Sequence, residues 1–464
     1  MSRGALDHEE AKQVTRDHRS ETLEGKMDLT EAARRGAGWP RRWLAIAALS
    51  GLLLAAAACG DDSDSDDSSS ASGSEPEEEV AGGEDLLGPV EEASGEPVKI
   101  GMVSDGATDA FDNTDEIRSA EATAEFWNTH RGGIGGRPIE IVPCETGADP
   151  AGATDCANQL VEQDVVAVAL SQSAQVESVW EPLHAAGVPT LFFQVNSDDM
   201  LADTTTSFVM VNPLATLFGL PVSAAESADT DKIAFVNIDV PAALTAFESG
   251  AADAILDNAG LEYELVKIPV GTADMTSQMQ QVVSGGAGVV HIIGNDAFCI
   301  AAINGLAAVG YDGEITSISQ CITDATRAGV TGGGLEGISI TATQAVGATD
   351  DPAYQLYQAV MAEYGQEVED VDNALAMGGY TVVSSLAAAL DGISGDITPV
   401  TVAETIKAMQ ETDYPGADGI TFQCGGSAFP EQPAVCTNQS LRAVLDADGN
   451  PASYEAVDAT DILP

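Results

Sequence analysis

From Val98 onward the chain alternates short β-branched apolar runs with amphipathic stretches of helical spacing, and this alternation limits the possible folds more than any other feature. Strands that are apolar on both faces, each followed by a helix, build parallel sheets covered by helices on both sides. The first unit is VKIGMV (98–103), then a helix with Ile117, Ala120, Ala124 and Trp127 on one face, then the turn GGIGGRP into IEIVP. A second helix presents Ala153, Cys156, Ala157, Leu160 and Val161 before VVAVAL (165–170), and a third, with Val176, Val179 and Leu183, precedes VPTLFF (188–193). After Asn212-Pro213 a new series opens with KIAFVNI (232–238), LEYELVKIP (261–269), GVVHII (288–293) and EITSIS (314–319). Two α/β lobes are the simplest account.

Two features resemble cofactor motifs and are read otherwise. GGIGG closes a helix and opens a strand, the reverse of a dinucleotide fingerprint, so it is a turn. The stripe Ala243, Phe247, Ala251 and Ile255 has the spacing of a core-facing helix. No cofactor is expected.

The N-terminus follows different rules. Arg41 and Arg42 precede an apolar run from Trp43 to Ala58, which ends at Cys59. That run is shorter than the roughly 20 residues of a membrane-spanning helix and has the layout of an export signal. Ala56, Ala57 and Ala58 before the cysteine resemble the lipobox of bacterial lipoproteins, which implies acylation of Cys59 and a lipid anchor on the outer face of the cell membrane. The alternative, ordinary cleavage with Cys59 incidental, leaves the following tether unexplained. Residues 1–26 are charged and aperiodic, and Met27 would leave a signal of ordinary length, so translation from Met27 is expected. Residues 1–58 are thus the export signal with an over-long leading region. Residues 59–97, rich in Asp, Glu, Ser and Gly, read as a lipidated cysteine and a disordered acidic tether.

Of 18 Lys and Arg, nine lie in residues 1–58, against eight of 74 Asp and Glu, so the exported chain carries about −57. Such a surface repels nucleic acid. It either draws in cationic solutes or is a solubility device spread over the surface.

Six cysteines follow Cys59 in three sequence-close pairs: Cys144 with Cys156, Cys299 with Cys321, and Cys424 with Cys436. An even count behind an export signal points to three disulfides; 15 connectivities are possible, and nearest-neighbour pairing is favoured because each pair would tie a strand end to an adjacent element. A metal site is disfavoured, since there is no CxxC spacing and His130, His184 and His291 are scattered. Nor is there a nucleophile elbow, P-loop or HExxH pair, so no enzymatic turnover is expected.

The segments VKIGMV, AEATAEFWNTHRGGIGGRPIEIV, TGADPAGATDCANQLVEQDVVAVAL and HAAGVPTLFF together resemble the N-terminal lobe of type I periplasmic binding proteins of the leucine/isoleucine/valine receptor family, the substrate-binding lipoproteins of ABC transporters. KIAFVNI, VVHIIGNDAFCIAAINGLAAVGYDGEI and LEGISITATQ continue the resemblance in order, over roughly residues 98–445. It implies an α/β fold of two doubly wound parallel-sheet lobes joined by three crossover segments, placed near Asn212-Pro213, Thr341 to Val346, and residues 421–435. Lobe 1 is then 98–213 plus 347–425, and lobe 2 is 214–346 plus 426–464.

A solute is expected where the C-terminal strand ends face the interlobe crevice. By the resemblance, Ser173 and Ala174 match the place where a serine and backbone amides hold an amino acid's carboxylate. Gln194 and Asn196 match the ammonium-contacting segment, although they depart from its small-residue and threonine pattern. Asn295 and Asp296 stand where an aromatic residue is common, with Asp296 a source of negative charge, and Gln320 lies near the acidic ammonium partner. The first strand exit adds Ser104, Asp105 and Thr108, with Phe111 behind. The implied partners are a small polar solute such as an amino acid, a permease with its ATPase, and the membrane through the anchor; a monomer is the family expectation. The same closing lobes could instead signal to a membrane receptor, and the sequence does not separate the two.

Overall fold

The computed structural model describes residues 86–108, 111–330 and 332–464; the export segment, Cys59 and most of the acidic tether lie outside the described residues. The first sheet is wholly parallel, in the order β2-β1-β3-β4-β5, from β1 (Val98–Ser104), β2 (Ile139–Glu145), β3 (Ala167–Leu170), β4 (Thr190–Phe192) and β5 (Ser207–Val209). Every residue of β3, β4 and β5 is buried, as two helical layers require.

The second sheet contains β6 (Lys232–Ile238), β7 (Glu262–Ile268), β8 (Val289–Ile293), β9 (Glu314–Ile318) and β10 (Ser339–Ala342). After a short hairpin, β11 (Thr412–Asp413) with β12 (Thr421–Phe422), the chain returns as β13 (Gln439–Leu445) and β14 (Pro451–Asp458). The order is β14-β13-β10-β9-β8-β6-β7; only the last two strands to form, β13 and β14, run antiparallel to their neighbours. This is the two-lobed, doubly wound fold expected from the sequence.

Helix starts are chemically marked. Asp149 caps α2 (Pro150–Glu162), which follows α1 (Asp115–His130): its side chain accepts from Ala151 and Gly152 N–H at 3.0 Å each, with Pro at the first helical position. The next long helix is α3 (Val176–Ala186). Asn212 repeats the device for α4 (Pro213–Ser227), the first element after the chain leaves β5. Beyond α5 (Asp296–Val309), Asp351 and Thr398 do the same for α6 (Pro352–Tyr364) and α8 (Pro399–Ala408).

Between these two lies α7 (Ala374–Ala389), buried along most of its length. It packs on α1 with unusual closeness: a Cβ at Gly379 would collide with the backbone oxygen of Glu116, and one at Gly378 with the hydroxyl of Ser171. Ile100 and Met102 of β1 are covered by Ile117 and Ala120 of α1 and by Val382 and Leu386 of α7. On the opposite face Val103 and Val168 meet Leu160 and Leu183 of α2 and α3.

The three sequence-close cysteine pairs are disulfides: Cys144–Cys156 ties β2 to α2, Cys299–Cys321 ties α5 to the turn after β9, and Cys424–Cys436 closes the segment between β12 and β13.

Two boundaries differ from the sequence reading. Residues 86–97 do not continue the tether but pack on the end of α1: Leu87 is buried beside Phe126, Tyr357 and Tyr380, while Glu91 and Ala93 N–H donate to the oxygens of Thr129 and Asn128 at 2.7 Å. One buried leucine and the free carbonyls of a helix C-terminus suffice to hold a stretch whose composition is otherwise polar. Residues 434–436, expected in the second lobe, run along β5 of the first sheet, where Val209 N–H donates to Ala434 O and Cys436 N–H to Val209 O, both at 2.8 Å. The last crossing therefore falls at Thr437 and Asn438, where Asn212 Nδ2 donates to Asn438 Oδ1 at 2.8 Å and joins it to the first.

Candidate functional site

A cleft of about 1010 Å³ opens at the C-terminal ends of the parallel strands of both sheets, the place where open α/β sheets take ligands. From the first sheet come Asp105 after β1, Gln172 to Ser178 after β3, and Phe193 to Ser197 after β4. From the second come Ile318, Ser319 and Gln320 after β9. Pro213 and Thr216 in the first turn of α4, Thr341 in β10, and Thr343 and Gln344 just after it complete the lining. Most of these side chains are uncharged amides and hydroxyls.

The first wall is organised around two carboxylates. Asp105 is 4% exposed and accepts from Thr146 Oγ1 at 2.6 Å, from Ser173 Oγ at 2.8 Å and from Ala174 N–H at 2.8 Å. Behind it Glu116, on the first turn of α1, accepts from Ser104 Oγ at 2.7 Å and from Gln172 N–H at 3.1 Å. Burial pushes the Glu116 carboxyl up to about 7, against the lowering effect of these hydrogen bonds. Ser173 Oγ in turn accepts from Gln175 N–H at 3.0 Å, completing the turn into α3. The N–H groups of Gln172, Ala174 and Gln175 and the hydroxyl of Ser173, in the turn before α3, are thus held by groups of the chain itself.

The second wall is lighter. Gln320 sits in a single 3-10 turn, Ser319–Cys321, and that turn is fixed by the Cys299–Cys321 disulfide to α5 and by Thr326 Oγ1 donating to Cys321 O at 2.6 Å. In the crossover, Gln344 Nε2 donates to Thr381 Oγ1 of α7 at 2.8 Å, and Tyr414 donates its hydroxyl proton to Thr343 O at 3.0 Å.

Of the residues singled out from sequence, Asp105, Ser173, Ala174, Gln194, Asn196 and Gln320 line the cleft, as does Phe111. Ser104 is fully buried one layer behind, bonded to Glu116 and to Asn113 O. Asn295 and Asp296 are not on the cleft surface: β8 runs straight into α5, Asn295 caps that helix by accepting from Phe298 N–H at 3.0 Å, and Asp296 occupies its first turn, exposed. An Asn-Asp pair at a strand-to-helix junction does what Asn and Asp do at helix starts. Sequence reasoning missed Thr341, Thr343 and Gln344, although the crossover that carries them was located; a crossover that hinges two lobes must pass the floor of the crevice between them. It also missed Glu116, which reads as one more acidic residue in a helix first turn. The three histidines of the described residues are apart, His130 against Gly88 O and Tyr364, His184 on Thr206, and His291 inside the second sheet on Thr316.

The comparisons with known proteins agree with this geometry. No curated protein matches the chain. Among solved structures of similar fold, an ABC transporter substrate-binding protein from Sphaerobacter thermophilus is 18% identical at a TM-score of 0.59, over 79% of this chain and 100% of that one. The branched-chain amino acid transporter substrate-binding protein LivJ from Streptococcus pneumoniae, in complex with isoleucine, is 16% identical at 0.54, over 78% and 99%. A fatty acid ABC transporter substrate-binding protein from Thermomonospora curvata is 18% identical at 0.54, over 80% and 94%. At such identities the likeness speaks to fold, and solutes differ among proteins that share it. Residues 97–435 match the family described as periplasmic binding protein. With one parallel and one mostly parallel sheet, a cleft at their strand ends and a family match over residues 97–435, the chain belongs to the periplasmic binding protein family.

Proposed function

We propose that this chain is the extracytoplasmic solute-binding subunit of an ABC importer, a monomer held at the membrane through lipidated Cys59, which closes on a small polar solute and delivers it to a permease and its ATPase. The observation that carries this reading is the cleft itself: polar side chains from both sheets and from the crossovers converge on one cavity of solute size. Closure of the lobes would exclude water and strengthen each polar contact, with the crossovers absorbing the backbone change. Family membership supports the reading, as does the acidic stretch after Cys59, which would act as a solvated spacer between anchor and lobes.

A thermal-shift screen of the full chain against amino acids, amides, ureas, polyamines, nucleosides and aromatic acids tests it. A saturable rise in melting temperature with one chemical class is expected. Silence across the panel, with folding verified, would favour a sensor that contacts a membrane receptor.

A further inference from the structure

The two groups that the sequence resemblance assigns to a solute carboxylate, Ser173 and Ala174, are already engaged by a side chain of the protein. Ser173 Oγ and Ala174 N–H bond Asp105, and Gln172 N–H bonds Glu116, so these three donors are not open to an incoming carboxylate. Among the described residues no Lys, Arg or His lines the cleft, whereas Asp105 and Glu177 do. No cation pairs with Asp105: the ion pairs of the described residues all lie elsewhere. A carboxylate has about four lone-pair sites, and Asp105 uses three, all on neutral donors. Its hydrogen bonds orient it without neutralising it, and a buried charge left without a counter-charge is unfavourable until one arrives.

We propose that Asp105 is a built-in occupant of the anion-holding donors of this cleft, so that the site selects organic cations, amines or guanidines, that carry no carboxylate. The inference rests on the solute-binding reading above and narrows its substrate class. The Asp105 carboxylate takes the place of a solute carboxylate, and its uncompensated charge faces the cleft as the partner of a solute ammonium or guanidinium. The amides of Gln194, Asn196 and Gln320 then supply neutral hydrogen bonds around the cation. The strongly acidic exported chain adds a long-range field of the same sign preference.

The test is calorimetric titration of the full chain with matched pairs that differ in a carboxylate: agmatine and arginine, putrescine and ornithine, isopentylamine and leucine, choline and glycine betaine, with acetamide and urea as neutral probes. At least one carboxylate-free cation is expected to bind ten or more times more tightly than its partner. In Asp105→Asn that cation should weaken at least tenfold while the carboxylate-bearing partner gains. Equal or tighter binding of the carboxylate-bearing member, binding of the neutral probes alone, or an Asp105→Asn variant with unchanged selectivity would overturn the proposal and leave solute binding standing. If no probe binds the folded chain, the solute-binding reading fails with it. The wild-type comparison decides the question even if the variant does not fold.

Discussion

The two walls of the cleft reach the same cavity by different means. The first is deep and acidic: two carboxyl groups, Asp105 and Glu116, on elements packed so closely that Gly378 and Gly379 are required behind them. The second is shallow and neutral: Ile318 at the end of β9 with Ser319 and Gln320 on the following turn, held by a disulfide and one hydrogen bond from Thr326. The contrast assigns discrimination to the first wall and closure to the second. A buried polar network is specific and intolerant of change, whereas a clamped turn needs only to arrive in the right place.

The largest effect should come from unclamping the second wall. Replacing Cys299 and Cys321 together with serine opens a 22-residue separation and is expected to cost about 3 kcal/mol, measured by denaturant unfolding. On the first wall, Glu116 gives a signed pH dependence. Its folded value, near 7, lies above the ordinary 4.5, so the native state keeps a proton that the unfolded chain has released. The stability from Glu116 is complete below about pH 4.5 and is lost as pH rises through about 7, a change on the order of 3 kcal/mol. Unfolding free energies of Glu116→Gln across that window should lose this slope; a wild-type slope of the opposite sign would refute the assignment.

Gly379→Ala is expected to destabilise by about 2 kcal/mol, read as a lowered melting temperature, because the added methyl meets backbone of α1 rather than a side chain that can move. The smallest effect should be Gln320→Ala, about 1 kcal/mol or roughly fivefold in solute affinity, with no change in stability, since the side chain is exposed.

How much of this could be read beforehand follows the same division. The strands β1–β4 and β6–β9 were legible because parallel strands buried on both faces must be largely apolar, as VKIGMV and KIAFVNI are, whereas β5, β10, β13 and β14 were not picked out from their residues. Ser173, Gln194 and Gln320 were legible because polar residues directly after such strands mark the crevice side. Asn295 was not, because helix capping and ligand contact use the same residue type, and only the immediate continuation of β8 into α5 decides between them. The state of Asp105 was not legible either. Its position was correctly placed at the β1 exit, but that it holds Ser173 and Ala174, nearly 70 positions on, is a property of two loops meeting in space. Leu87 is the opposite case, a buried apolar residue in an acidic stretch that binds the stretch to the lobe.

The central claim is that the first wall sets charge selectivity and the second does not. The most direct measurement is the ratio of agmatine to arginine affinity in the wild type, in Asp105→Asn and in Gln320→Ala. The account predicts a ratio of ten or more in the wild type, a collapse in Asp105→Asn, and a preserved ratio with both affinities lowered in Gln320→Ala. A ratio that survives loss of the Asp105 charge, or that collapses equally in both variants, would contradict it.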